Sequence, residues 1–334
     1  MSTPRLLVTA SPHLKGPAST PTIMWNVVGS LVPVVAAAGY FFGFGALLVI
    51  AAATLGALLT EVVLGSKGSL GDGSAVITGL LLGLTLPPGF PLWMSFLGGV
   101  VAIAFGKLIF GGLGQNIFNP ALLGRAFLQA AFPVAITTWP TGDENWWDLN
   151  PVQAALPLMG AGEVDTVTGA TPLGLWKFER IATDAVDLFT GAIGGSAGET
   201  SALVITICGG YLALRNFLSW RIPASIFLTV FVLSGALWLL DASRFPSPLF
   251  MLFSGGLMLG AWFMATDMVT SPVTAKGCWV FGAGIGALVV IIRLWGGLPE
   301  GVMYAILLMN AMVPYINQWT QPRVFGTRLQ EATS

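Results

Sequence analysis

A chain of 334 residues with 55% hydrophobic and only 9% charged residues cannot cover itself for water, because soluble domains carry about 25% charged residues. The formal net charge of −1 and the mean hydropathy of +0.82 place most of the outer surface against lipid and give no reason to expect a nucleic-acid partner. Two cysteines in apolar runs, Cys208 and Cys278, imply no disulfide framework and are too few for an iron–sulfur cluster, which needs about four thiolates; the lone His13 argues against a metal site.

A spanning helix needs about 20 apolar residues, and on that rule the sequence predicts an all-α polytopic membrane protein of about ten transmembrane helices. Residues 1–22 form a polar N-terminal segment, with no short apolar core and cleavage site of the kind a signal peptide carries. The first membrane half, 23–137, holds apolar runs at 23–40, 43–64, 74–86, 91–110 and 119–137. The third of these is short and is stopped by Pro87 and Pro88. A long polar stretch, 138–199, separates the halves. The second half, 200–317, holds runs at 200–218, 222–240, 248–265, 277–295 and 301–317, and a tail at 318–334 follows.

The distribution of basic residues sets the orientation. With both termini in the cytoplasm, Arg5, Lys15, Lys67, Lys107, Arg125, Arg215, Arg221, Lys276, Arg323 and Arg328 fall on the cytoplasmic side, and only Lys177, Arg180, Arg244 and Arg293 fall outside. The long loop is then extracytoplasmic. An internal echo runs between Gly71-Asp72-Gly73-Ser74-Ala75 and Gly198-Glu199-Thr200-Ser201-Ala202. It suits two inverted five-helix repeats with functional sites at their interface, and chance accounts for it equally well where Gly, Ser and Ala are abundant.

The most informative stretch of the loop is Asp165-Thr166-Val167-Thr168-Gly169-Ala170-Thr171-Pro172-Leu173. Thr171 suits an N-cap and Pro172 a first helical position. Behind them Leu173, Trp176, Phe178, Ile181 and Val186 can form the apolar side of a short helix on the membrane surface, and free N–H groups at its start attract phosphate. On spacing alone a plain capped interfacial helix is the commoner meaning.

Asp-x-x-Thr-Gly-Ala-Thr, ending at Thr171, resembles the acceptor motif of flavin transferases, which join FMN through a phosphoester to the last threonine. The surrounding chain resembles the D subunits of Rnf electron-transport complexes and is similar to the B subunits of sodium-pumping NADH:quinone reductases. Ser11-Pro12-His13, Gly71-Asp72-Gly73-Ser74-Ala75, Asn119-Pro120-Ala121, Gly124-Arg125-Ala126-Phe127, Met264-Ala265-Thr266-Asp267 and Thr270-Ser271-Pro272-Val273-Thr274 carry the likeness along nearly the whole chain. The resemblance implies covalent FMN on Thr171, with Asp165, Thr168, Gly169 and Ala170 completing the motif read by the flavin transferase. It also implies a non-covalent riboflavin toward the cytoplasmic side of the bundle. The implied partners are the A, B, C, E and G components of the Rnf complex, above all the extracytoplasmic G component with its own FMN. The implied setting is the bacterial cytoplasmic membrane. The implied task is electron relay in a translocase that couples ferredoxin/NAD electron transfer to sodium or proton movement, without a self-contained active site.

Read from the residues themselves, Gly169 and Ala170 leave the Thr171 hydroxyl uncrowded. Trp139, Trp146, Trp147 and Trp176 can stack on a ring or form an interfacial aromatic belt. Arg125, near the start of the fifth span beside Asn119, either meets a ligand phosphate or carboxylate or snorkels to cytoplasmic headgroups. Asp267, and less so Glu61, is a candidate for an ion path, although an acid near a helix end is usually just hydrated. A rival class is a flavin-independent channel or solute transporter, which would be colourless.

Overall fold

The computed structural model describes residues 19–65, 69–139, 146–147, 152–155, 171–191, 194–198 and 201–322, and all regular structure among them is helical. Asp165, Thr168, Gly169 and Ala170 lie outside the described residues. The first element, α1 (Thr20–Leu64), begins at a Ser19 cap whose hydroxyl accepts from the Thr22 amide. Its 45 residues are not one rod, because Gly43 sits at φ 76° and folds the element into a hairpin with arms 20–42 and 44–64. Trp25 near its start donates to the carbonyl of Gly71 just beyond its end, at 3.2 Å. A side chain on Gly43 would also meet the Trp146 carbonyl at 2.9 Å, so conformation and space both require glycine there. The two arms match the separate runs expected at 23–40 and 43–64.

Helices α2 (Ser74–Leu84) and α3 (Leu92–Gly106) pack on the second arm. Small residues let the backbones approach: a methyl on Gly99 would collide with the Ala53 carbonyl, and one on Gly56 with the Phe96 carbonyl. Ser95 Oγ donates across the same interface to the Val49 carbonyl at 2.8 Å. Gly99→Val is expected to destabilise the bundle by about 1–3 kcal/mol or more through overpacking, read as a lower unfolding midpoint in mixed micelles. An unchanged midpoint would show that the contact yields.

Helix α2 stops at Leu84, yet the chain stays buried through Leu86. Carbonyls freed inside a membrane need partners. Gly198 N donates to Leu84 O at 2.6 Å and Ala197 N to Leu86 O at 3.2 Å. The fifth run is two helices, α4 (Pro120–Ala131) and α5 (Pro133–Thr137), broken at Phe132 because Pro133 has no amide to continue the ladder.

The loop contributes α6 (Pro172–Gly174), which runs into a π-helical turn (Leu175–Glu179), and α7 (Ala185–Thr190). Next come α8 (Ala202–Leu214), α9 (Arg221–Leu240), α10 (Pro248–Phe253) and α11 (Leu257–Leu259), the last continued by a π-helical turn (Gly260–Met264). The chain closes with α12 (Ala275–Trp295) and α13 (Val302–Thr320). The single span expected at 248–265 is therefore interrupted, at Gly255 with φ 65°. Arg293 from α12 reaches into the break, donating to the carbonyls of Met251 at 2.6 Å and Ser254 at 2.8 Å. A cation at the open carbonyl end of a helix is favourable.

Among the described residues, four helical elements are long and apolar enough to cross a membrane: Thr20–Leu64, Leu92–Phe110, Arg221–Leu240 and Ala275–Trp295. Large apolar side chains such as Tyr40, Leu214, Leu239 and Leu240 stand exposed on the outside of the bundle, as a lipid-facing surface demands. The bundle has two distinguishable ends. One gathers Trp25, Gly71 and the Tyr211–Asn26 hydrogen bond at 2.9 Å, which joins the end of α8 to the start of α1. The opposite end carries the Gly43 turn, and there Lys177 of the loop donates to carbonyls at the end of α12.

Candidate functional site

Thr171 has extended backbone, φ −66° and ψ 154°, and its hydroxyl accepts from Gly174 N at 3.2 Å, so the predicted cap before Pro172 is present. The residues of the expected apolar side divide between the bundle and the outer surface. Leu173 is buried with Leu188 and Phe250, and Trp176 packs against Phe250. Phe178, Ile181 and Val186 stand exposed, because the helix is one α-turn and one π-turn that ends at Arg180, with φ 60°.

Lys177 fixes this short element to the bundle. Its ammonium donates to the carbonyls of Gly296 at 2.5 Å, Leu298 at 2.6 Å and Arg293 at 3.4 Å, the open end of α12. Burial pushes its pKa below the ordinary lysine value.

Thr171 lies on the wall of a cavity of about 500 Å³. The wall is shared by Thr85 at the broken end of α2, by Arg125 and Gln129 of α4, by Trp139, and by Glu300 in the turn before α13. Arg125 Nη2 is 3.3 Å from Glu300 Oε2, and Glu300 Oε1 accepts from the Gly256 amide. Arg125 is thus neither extended to headgroups at the Trp25 end nor on that side of the bundle, as the basic-residue count supposed; it turns toward the Thr171 end, and its partner is an acid 175 residues away. Its buried Nε has no hydrogen-bond partner among the described residues. Of the four tryptophans considered, only Trp139 lines this cavity, while Trp146 and Trp147 pack on Phe44 at the α1 turn.

Asn119 and Asp267 come together elsewhere, on a narrower cavity of about 100 Å³ toward the Trp25 end. Asn119 caps α4 through Ala121 N at 3.0 Å and Leu122 N at 3.3 Å, and it donates to Met264 O at 3.1 Å. Asp267 accepts from Thr270 Oγ1 at 3.1 Å, Val269 N at 3.3 Å and Asn116 Nδ2 at 3.5 Å. Both carry structural hydrogen bonds. Glu61, expected as a hydrated helix-end acid, is instead 1% exposed and lies 2.7 Å from Lys107 Nζ. Sequence reasoning missed Glu300, Lys177 and the Lys107 partnership. Glu300 follows Gly296-Gly297-Leu298-Pro299, which reads as an ordinary polar turn between two spans.

Comparison with known proteins gives a consistent picture. The sequence model of the NQR2, RnfD, RnfE family matches residues 7–326. The chain is 43% identical to the D subunit of the Na(+)-translocating ferredoxin:NAD(+) oxidoreductase complex of Acetobacterium woodii, over 96% of this chain and 95% of the relative. It is 41% identical to the D subunit of the proton-translocating ferredoxin:NAD(+) oxidoreductase complex of Clostridium ljungdahlii, over 96% of both chains. It is 39% identical to the D subunit of the ion-translocating oxidoreductase complex of Pseudomonas aeruginosa, again over 96% of both.

Proposed function

This chain belongs to the NQR2, RnfD, RnfE family, and on that premise we propose that it is the D-type membrane component of an Rnf-type ion-translocating oxidoreductase, bearing FMN on Thr171. The observation that supports it is the position of Thr171 on the wall of a 500 Å³ cavity, at one end of a lipid-embedded bundle. Ligand pockets run to about 300–1,000 Å³, so a tethered three-ring cofactor fits this one. The Arg125 side chain puts a cation on its wall. A phosphoester at Thr171 Oγ1 leaves the ester oxygen able to accept from Gly174 N, so attachment does not require the cap to be lost.

Bound there, FMN supplies one- and two-electron chemistry. This chain's own residues hold and enclose it. Lys177 ties the Thr171 turn to the end of α12, Arg293 seals the broken α10, and the apolar bundle keeps water from one flank. The chain relays electrons and forms no site for NAD or ferredoxin. Thr171 faces the extracytoplasmic side, where an FMN-bearing G-type component is its exchange partner, and a flavin transferase loads it. Ten spans in two inverted halves, within a bacterial cytoplasmic membrane, fit the short third run and the interrupted eighth. The riboflavin expected toward the cytoplasmic side is a different matter. The cavity beside Asn119 and Asp267 holds about 100 Å³ and a more open one lined by Trp25, Asn26, Ser30, Cys208 and Tyr211 about 480 Å³, and no residue is assigned to that group.

The experiment is direct. The chain is expressed with its flavin transferase, and the band on a denaturing gel is examined for ultraviolet fluorescence and intact mass. Wild type is expected to carry one FMN and Thr171→Ala none, with the variant still inserted. Fluorescence that survives the substitution overturns the assignment. The coupling ion is a separate question, since relatives of nearly equal identity are named for different ions.

A further inference from the structure

The Arg125–Glu300 pair is unusual in its surroundings. Arg125 projects from the middle of α4 into the Thr171 cavity with its side chain 12% exposed, and Glu300 comes from a turn 175 residues later. A pair that served only to join two helices would use up its donors. Here one fork nitrogen meets Glu300, while the buried Nε has no partner among the described residues. Glu300 is itself anchored, since its second oxygen accepts from the Gly256 amide in the break between α10 and α11. The carboxylate therefore holds the guanidinium in place at the cavity wall, where its charge acts on whatever the cavity holds.

We infer that Arg125 is the cation that offsets the negative charge a flavin ring takes up on reduction in this cavity, and that Glu300 is the positioning residue that holds Arg125 and moderates its charge. The inference rests on the reading that Thr171 bears FMN. Reduction places one added negative charge on the ring for each electron not matched by a proton. In a cavity bounded by lipid-embedded helices, a nearby fixed cation has a larger effect than it would in water. Removing Arg125 takes positive charge away from the reduced ring and lowers the flavin potential. Removing the charge of Glu300 leaves the guanidinium uncompensated and raises it. The two effects have opposite signs.

The test is a spectroscopic redox titration with dithionite on the flavinylated chain in detergent, comparing wild type with Arg125→Gln, Arg125→Lys and Glu300→Gln. Flavin loading is read first, from in-gel fluorescence. The expected result is at least a tenfold change in the oxidised-to-reduced ratio at fixed poise, about 30 mV for a two-electron couple. It is downward for Arg125→Gln and upward for Glu300→Gln, with Arg125→Lys between Arg125→Gln and wild type. Shifts of the same sign in Arg125→Gln and Glu300→Gln indicate a merely structural role and overturn the inference. So do unmoved potentials, or an unmoved potential with reduced loading, which would put Arg125 on the phosphate instead of the ring. If Arg125→Gln does not insert, Glu300→Gln decides alone, because a potential that fails to rise is fatal to the idea. A wild-type band without fluorescence is a different failure: it removes the FMN reading itself.

Discussion

Lys107→Ala is expected to destabilise the bundle by about 3–5 kcal/mol, the cost of breaking a buried ion pair from one side. Lys107 follows α3 and is 3% exposed at its side chain, while that of Glu61 is 0% exposed. The ammonium lies 2.7 Å from Glu61 Oε1, 2.7 Å from Ser74 Oγ and 3.8 Å from Asp72 Oδ2, so it joins the second arm of α1, the start of α2 and the end of α3. Glu61 Oε2 has no hydrogen-bond partner among the described residues, so loss of the lysine strands a carboxylate that is already under-solvated. The pair as a whole contributes far less than either truncation suggests, because desolvation cancels most of the attraction. Glu61→Gln combined with Lys107→Met should therefore recover most of the loss. Unfolding of Glu61→Gln, Lys107→Met and the double variant in mixed micelles gives the coupling energy directly. A single-variant cost under about 1 kcal/mol, the value of a solvated surface pair, would show that water reaches this end of the bundle.

The membrane character and the positions of most helices were legible because lipid solvation writes itself into long apolar runs. The hairpin in α1 followed from the same rule, as the runs at 23–40 and 43–64 are too long together for one crossing and the second opens on Gly43. The breaks were harder to read. Pro133 announces the end of α4, but Gly255 and Gly256 sit within an apolar run that hydropathy reads as continuous. What makes that break tolerable is Arg293, about 40 residues away, and no local pattern links the two. The same holds at the cavity. Thr171 as a cap is visible in the Thr-Pro pair, whereas the partner of Arg125 is 175 residues distant and was not foreseeable from spacing. Charge counting put Arg125 at the wrong end because a buried partner releases a membrane arginine from the headgroups.

That dependence on a distant cation makes Arg293→Ala the substitution that reports on the cavity. Two hydrogen bonds from a charged donor, each contributing about 1.5–3 kcal/mol, close the carbonyl end of α10 at Met251 and Ser254. Their loss leaves buried carbonyls without their donors, and a cost of about 3 kcal/mol or more is expected. The effect should be local before it is global. Gly255 lies where Leu173, Arg293 and Glu300 converge, and Gly256 holds Glu300 through its amide. Relaxing 251–256 therefore loosens the packing under Thr171 and the anchor of Arg125 together. Hydrogen exchange should rise at 251–256 and at 173–177, while the Lys107 end of the bundle keeps its protection. Arg293→Lys should restore only part of it, because a single ammonium nitrogen does not reproduce the two separate guanidinium nitrogens that reach Met251 O and Ser254 O. Exchange that rises equally at both ends would show that Arg293 supports the whole bundle instead of the cavity. Unchanged exchange at 251–256 would show that the break in α10 holds its shape without the cation.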